Sequence, residues 1–174
     1  MYIHGEKVLL RALEPADNEM LMRLINDPEV ENMCAGRSFP VSAEQQAQWL
    51  ARQNANAGVL RCAITLPEQP DSAMGTVMLT DIDQFNGTVQ VHYKLLKEYG
   101  GKGYATDAVA AVTRYAFDTL RMNCVYAEVL EYNQASRRVL EKCGYTMDAV
   151  LRSRVYKNGS YWNVCIYSRL RDDA

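Results

Sequence analysis

The residues with the clearest chemical meaning in this sequence stand in a row, Gly100-Gly101-Lys102-Gly103, where a strand-like run hands over to a helical one. A glycine cluster there leaves several backbone N–H groups at a helix N-terminus without intrahelical acceptors, which makes an anion site. Glycine lets the backbone approach phosphate oxygens and tolerates positive φ, and Lys102 adds a cation. The P-loop string G-x-x-x-x-G-K-[ST] does not occur, which disfavours ATP and GTP. A dinucleotide fingerprint started at Gly101 and Gly103 would meet Thr106 where it needs its third glycine, which disfavours a nicotinamide cofactor.

A second cluster lies just upstream. Val89, Val91, Tyr93 and Leu95 alternate with Gln90, His92 and Lys94, so the two-residue period of a strand puts Gln90 and His92 on one face, able to overlook a site. Downstream, Asn133 opens a helical segment with Ser136 on the same first turn, a pattern that a helix cap alone would explain. The five cysteines, Cys34, Cys62, Cys124, Cys143 and Cys165, are scattered without a C-x-x-C pair. They read as reduced core residues rather than as metal ligands or nucleophiles paired with His4 or His92.

The elements that must position these residues follow from periodicity and turn chemistry. A strand is expected over 8–13, then a helix to about residue 25 after Glu14-Pro15-Ala16-Asp17, broken by Asn26-Asp27-Pro28. Ser42 and Gln45 stand at capping-box spacing before a second helix. Strands over 59–66, 74–82 and 88–96 read as an antiparallel meander divided by turn residues. Ala105, Ala108, Val109, Val112, Ala116 and Leu120 carry a helical period; a strand over 124–130 and a helix from Asn133 to Gly144 follow. Runs 147–156 and 161–170 flank an Asn158-Gly159 hairpin turn. Residues 171–174 look frayed.

With 174 residues, 48% hydrophobic and 23% charged, the chain is expected to form a single domain over 1–174. Its 19 basic and 21 acidic side chains are dispersed, giving a net charge of -2 and no footprint for nucleic acid. Neither a signal peptide nor an apolar membrane span is evident, so the expected location is the cytoplasm.

The string Glu98-Tyr99-Gly100-Gly101-Lys102-Gly103-Tyr104-Ala105-Thr106-Asp107-Ala108 resembles the coenzyme A loop of the GNAT superfamily, [RQ]-x-x-G-x-[GA]. Gly103 and Ala105 match its last two positions, and Gly100 stands where the family has Arg or Gln. Asn133-Gln134-Ala135-Ser136 with Val139-Leu140-Glu141-Lys142-Cys143-Gly144-Tyr145 resembles the N-x-x-S…L-x-K-x-G-[FY] helix of the same superfamily. The resemblance runs from Val8-Leu9-Leu10-Arg11 to Gly159-Ser160-Tyr161-Trp162-Asn163-Val164 and is closest to the ribosomal-protein N-terminal acetyltransferase branch. It implies an α/β (α+β) fold with a mixed, mostly antiparallel seven-stranded sheet, about four helices, and splayed fourth and fifth strands.

It also implies transfer of acetyl from acetyl-coenzyme A, without a metal, to a primary amine of a small molecule or a protein N-terminus, by direct attack through a tetrahedral intermediate. Backbone N–H groups near Leu95 and Leu96 would face the thioester carbonyl, a device worth roughly 3 kcal/mol per donor. The cofactor would contact Gly100, Gly101, Lys102, Gly103, Tyr104, Ala105 and Thr106, with Asn133 on the pantetheine arm. Ser136 would give a proton to the departing thiolate, since Leu140 replaces the tyrosine used by many members. Gln90 occupies the place of a basic glutamate, so His92 becomes the candidate base, with Glu128 and Glu131 behind it. A weak base suits an α-amine, roughly a tenth neutral at pH 7 with a pKa of ~8, better than a lysine near ~10.4. A homodimer is also implied. The departures at Gln90, Leu140 and Gly100 keep a second reading open, a catalytically silent coenzyme A binding or regulatory module.

Overall fold

The computed structural model describes residues 1–36, 39–53 and 58–173. Five strands form antiparallel neighbours: β1 (Ile3–His4), β2 (Leu9–Ala12), β3 (Leu60–Thr65), β4 (Gly75–Asp83) and β5 (Thr88–Leu95). After β5 the chain crosses through α4 (Tyr104–Asp118) to β6 (Cys124–Leu130), which lies parallel to β5. The closing hairpin, β7 (Thr146–Lys157) and β8 (Ser160–Leu170), inserts β8 beside β6, giving the order β1-β2-β3-β4-β5-β6-β8-β7. Eight strands replace the expected seven because Ile3 and His4 pair with Leu10 and Leu9, too short a run to show as alternation.

Two layers of helix cover the sheet. Val89 and Val91 of β5 join Val77 and Leu79 of β4 in a core with Val109 and Val112 of α4 and Leu140 of α5 (Gln134–Lys142). Burying each such aliphatic side chain is worth about 1.5–3 kcal/mol. Residues of the other parity, Ala63 of β3 and Leu96, pack with Met20, Leu21 and Leu24 of α1 (Asn18–Asn26) and Leu50 of α3 (Ala43–Gln53). Ser42 and Gln45 do form the reciprocal capping box that starts α3.

Among the described residues there are five α-helices where about four were expected. Asn26-Asp27-Pro28 ends α1 and starts α2 (Pro28–Asn32) at once, because the Asp27 carboxylate accepts from the N–H groups of Glu29 and Val30 while Pro28 needs no partner for its nitrogen. Arg171, expected to fray, is instead tied to the carbonyls of Phe117 and Met122; Ala174 lies outside the described residues.

Strand β2 and the start of α1 are locked by a buried ion pair. Arg11 meets Asp17 through two bonds of 2.8 Å, and Asp17, 3% exposed, also accepts from the N–H of Glu14. Removing one partner strands a buried charge. Asp17→Ala is expected to lower unfolding stability by about 3 kcal/mol in urea titrations, while a double variant with Arg11→Met recovers part of the loss.

Candidate active site

β5 and β6 pair only at Thr88↔Cys124, Val89↔Val125 and Gln90↔Tyr126. Beyond that point each strand keeps its outer neighbour, β5 on β4 as far as Gly75↔Leu95 and β6 on β8 as far as Leu130↔Val164, so a wedge opens between them. Successive N–H groups of a strand point to opposite edges. Leu96 donates to the Met74 carbonyl at 2.9 Å, so its amide is engaged on the β4 side, and by alternation the amides of Leu95 and Tyr93 point into the wedge. Of the expected pair of donors, Leu95 is the one aimed at the opening.

The glycine loop sits at the start of α4. Gly103 is its N-cap at φ +83° and Gly101 has φ +75°, conformations that a side chain would strain, whereas Gly100 is ordinary at φ -64°. A Cβ on Gly103 would stand 3.2 Å from the Lys7 Nζ, so the loop lies against a cation from the β1–β2 turn. That turn is pinned here because the Asp107 carboxylate accepts from the N–H groups of Glu6, Lys7 and Val8 at 2.7–2.9 Å. Lys102 is exposed and its ammonium lies 5.7 Å from the centre of the Tyr99 ring. Arg138 and Lys142, one turn apart on α5, line the same cleft as Tyr104, Ala105 and Thr106. Left-handed glycines, first-turn amides and the cations of Lys7, Arg138 and Lys142 fit a pyrophosphate-bearing cofactor.

The two faces of the wedge carry different chemistry. On the α4–α5 side, the Tyr93 hydroxyl lies 2.7 Å from the Ser136 Oγ and 3.0 Å from the Ser136 carbonyl. Burial holds the Tyr93 phenol well above its usual pKa, so it stays protonated. Asn133 caps α5 through its Oδ1 on the Ser136 N–H at 3.1 Å and donates its Nδ2 to the Met33 carbonyl at 3.0 Å. The side-chain amide therefore keeps one further N–H donor and one acceptor position for a ligand in the cleft.

On the opposite side, the register Thr80↔Gln90 and Met78↔His92 puts Gln90 and His92 on the face covered by α1 and α3. Tyr126 of β6 is the partner of Gln90, so Glu128 is the β6 residue that continues on the His92 face along the other lip of the wedge. The His92 Nε2 lies 2.8 Å from the Thr80 Oγ1, and burial lowers the imidazole pKa, with Lys94 adding to the fall and Asp81 opposing it. Glu131, the other reserve carboxylate, accepts from Asn163 at 2.8 Å.

Gln90, His92, Tyr93, Leu95, Glu128, Asn133, Ser136 and the loop glycines line one cleft of about 1080 Å³, from the glycine loop through the wedge to α2 and to Arg154 and Val155 of β7, whereas Lys7, Lys102 and Glu131 lie outside its lining. α2 is strapped over it: Lys97 pairs with Glu29, Lys157 with Glu31, and the Tyr132 hydroxyl donates to the Asn32 carbonyl. Tyr156, Tyr161 and Trp162 of the closing hairpin do not line the cleft. Tyr156 and Tyr161 stack on each other near the hairpin end and Trp162 packs edge-on against Tyr132. Burial pushes the Cys62 and Cys143 thiols up to about 11, which keeps them inert, whereas half-buried Cys34 lines the cleft.

Sequence reading missed Lys7 and Tyr93. Lys7 lies almost a hundred residues from the loop that it approaches and carries no local signal. Tyr93 passes for one more apolar member of an alternating strand, although its hydroxyl is the one polar atom on that side of β5 between Val89 and Leu95. Gly103→Ala forces a left-handed alanine at about 1–2 kcal/mol and narrows the gap to Lys7. Calorimetry with coenzyme A should show at least about tenfold weaker binding, with thermal stability lowered only slightly.

Comparison with known proteins agrees with this geometry. Residues 7–146 match the profile of the acetyltransferase (GNAT) domain. A candidate ribosomal N-acetyltransferase of Bacillus subtilis (strain 168) is 29% identical over 173 residues, covering 96% of this chain and 93% of that protein. An uncharacterized N-acetyltransferase derived from the SPbeta prophage of the same organism is 27% identical over 172 residues, covering 99% and 94%. The crystal structure of spermidine N-acetyltransferase from Vibrio cholerae in complex with CoA and spermine shares the fold, with a TM-score of 0.88 at 20% identity over 97% of this chain and 98% of that one. Because the profile match takes in the strands that splay and the loop that precedes α4, the chain belongs to the GNAT acetyltransferase family and is an N-acetyltransferase that draws its acetyl group from acetyl-coenzyme A.

Proposed function

We propose that this enzyme acetylates an α-amine or a similarly acidic primary amine, with His92 as general base and Ser136 as the acid for the leaving thiolate. The observation that carries the proposal is the placement of His92 and Ser136 on opposite sides of one wedge. Acetyl-coenzyme A supplies the activated thioester. The loop residues Gly100, Gly101, Lys102, Gly103, Tyr104, Ala105 and Thr106 hold its phosphates, Asn133 meets the pantetheine arm, and the Leu95 amide stabilises the developing oxyanion. Gln90 lines the cleft next to His92 and orients the amine without taking its proton.

Tyr93 positions the acid. Its hydroxyl donates to the Ser136 carbonyl, so it can accept from the Ser136 hydroxyl and hold that group in place until the thiolate forms. On the base side, desolvation keeps His92 neutral at pH 7, able to take a proton directly or through water.

The choice of acceptor rests on that weak base. The candidate ribosomal relative and the spermidine enzyme differ in acceptor, and an imidazole whose basicity is lowered by burial favours amines that are already partly neutral. We further take 1–174 as one catalytic unit, supported by the continuous sheet, and the cytoplasm as its location, supported by five cysteines without a disulfide. Exposed Met147, Val150, Leu151 and Tyr156 on β7, which pairs only with β8, support a homodimer.

His92→Ala and Ser136→Ala should each lower kcat by about a hundredfold with little change in coenzyme A affinity, followed by thiol release and calorimetry. The sign of the pH dependence follows from the lowered His92 pKa. Below it the imidazole is charged and cannot accept a proton, so the acid limb of kcat/KM should fall at a pH lower than the ordinary histidine value and vanish in His92→Ala. In an acceptor panel, peptides with free α-amines should turn over faster than N-blocked peptides carrying only lysine. Turnover confined to lysine acceptors would overturn the α-amine assignment.

A further inference from the structure

The base candidate does not stand alone. Thr80 lies beside it on β4, and the Thr80 Oγ1 is within 2.8 Å of the His92 Nε2 and 3.1 Å of the Asp81 Oδ2. A hydroxyl has one proton. Asp81, as a carboxylate, can only accept, so Thr80 donates to Asp81 and must accept from His92, which requires the proton to be on Nε2. The nitrogen left with a lone pair is Nδ1.

The backbone around Asp81 is shaped for this contact. The β4–β5 register passes from Thr80↔Gln90 to Asp83↔Thr88 with one extra residue on β4, a bulge, and Asp81 sits within it at φ +49°. A non-glycine residue in the left-handed region costs of order 1 kcal/mol and persists where the surroundings hold it, often beside functional groups. A regular strand would alternate Thr80 and Asp81 to opposite faces; the bulge brings the Asp81 carboxylate to the Thr80 hydroxyl on the His92 face.

We propose that Thr80 and Asp81 are positioning residues that fix His92 as its Nε2–H tautomer, so that Nδ1 is the atom that takes the proton from the amine. This rests on His92 being the base. The line runs Asp81, Thr80, His92, acceptor amine. When His92 gains a proton at Nδ1, the Nε2–H still donates to Thr80, so no hydrogen bond is lost and the Asp81 carboxylate favours the cation that forms. Other groups share this face: Lys94 on β5 opposes the protonated form, the pKa of Tyr126 is raised by burial, by Asp81 and by Glu128 on the facing lip of β6, and Arg61 on β3 stands one strand beyond, across Met78.

The chain has two histidines, so a His4→Gln background leaves His92 as the sole imidazole in a long-range nitrogen–proton spectrum. In the neutral state that spectrum should show the proton on Nε2. Thr80→Val should convert His92 to mixed or Nδ1–H tautomers and lower kcat/KM by about tenfold, with Thr80→Ser restoring both. Asp81→Asn keeps an acceptor for Thr80 but removes the charge, so the tautomer should hold while the acid limb of the pH profile moves to lower pH. A neutral wild-type His92 protonated on Nδ1, or a Thr80→Val spectrum identical to wild type, overturns the proposal. If the tautomer changes as expected while His92→Ala keeps full turnover, the positioning stands and the assignment of His92 as base falls.

Discussion

The structure turns on hydrogen bonds that β5 and β6 do not make to each other. After Gln90↔Tyr126 the two strands part, leaving backbone amides and carbonyls on both lips that a closed sheet would have paired. Each strand can afford the separation because its outer neighbour holds it to the end, β4 on one side and β8 on the other. The Leu95 amide, which points into the wedge, lies on one of these lips.

Everything around the wedge is arranged by which side of the sheet it comes from. The crossover through α4 brings the glycine loop, Lys7 and the α5 cations to one end of one face, where phosphates belong, and the same layer carries Tyr93 and Ser136. The opposite face carries His92, Glu128 and the strap of α2. In the proposed mechanism the proton donor and the proton acceptor thereby lie on opposite sides of the sheet.

Local chemistry was legible where a short string determines it. The glycine loop needs left-handed backbone at Gly101 and Gly103, and that demand is written in the residue type; the Ser42–Gln45 box and the Asn133 cap are likewise three-residue patterns with one physical solution. The alternation along β5 placed Gln90 and His92 together correctly for the same reason. What failed were signals too short or too ambiguous to separate from noise: a two-residue β1, and Asp27-Pro28, which breaks one helix and caps the next with the same residues.

The sequence by itself determined the order of elements, the anion loop and the face on which the base candidate lies, because these depend on neighbours within a few positions. Only the tertiary structure decided which amide enters the wedge, that Lys7 meets Gly103, that Tyr93 meets Ser136, and that a bulge brings Asp81 to Thr80 and so to His92. Those contacts depend on strand register and on where the sheet parts, and both are set by packing between residues far apart in the chain.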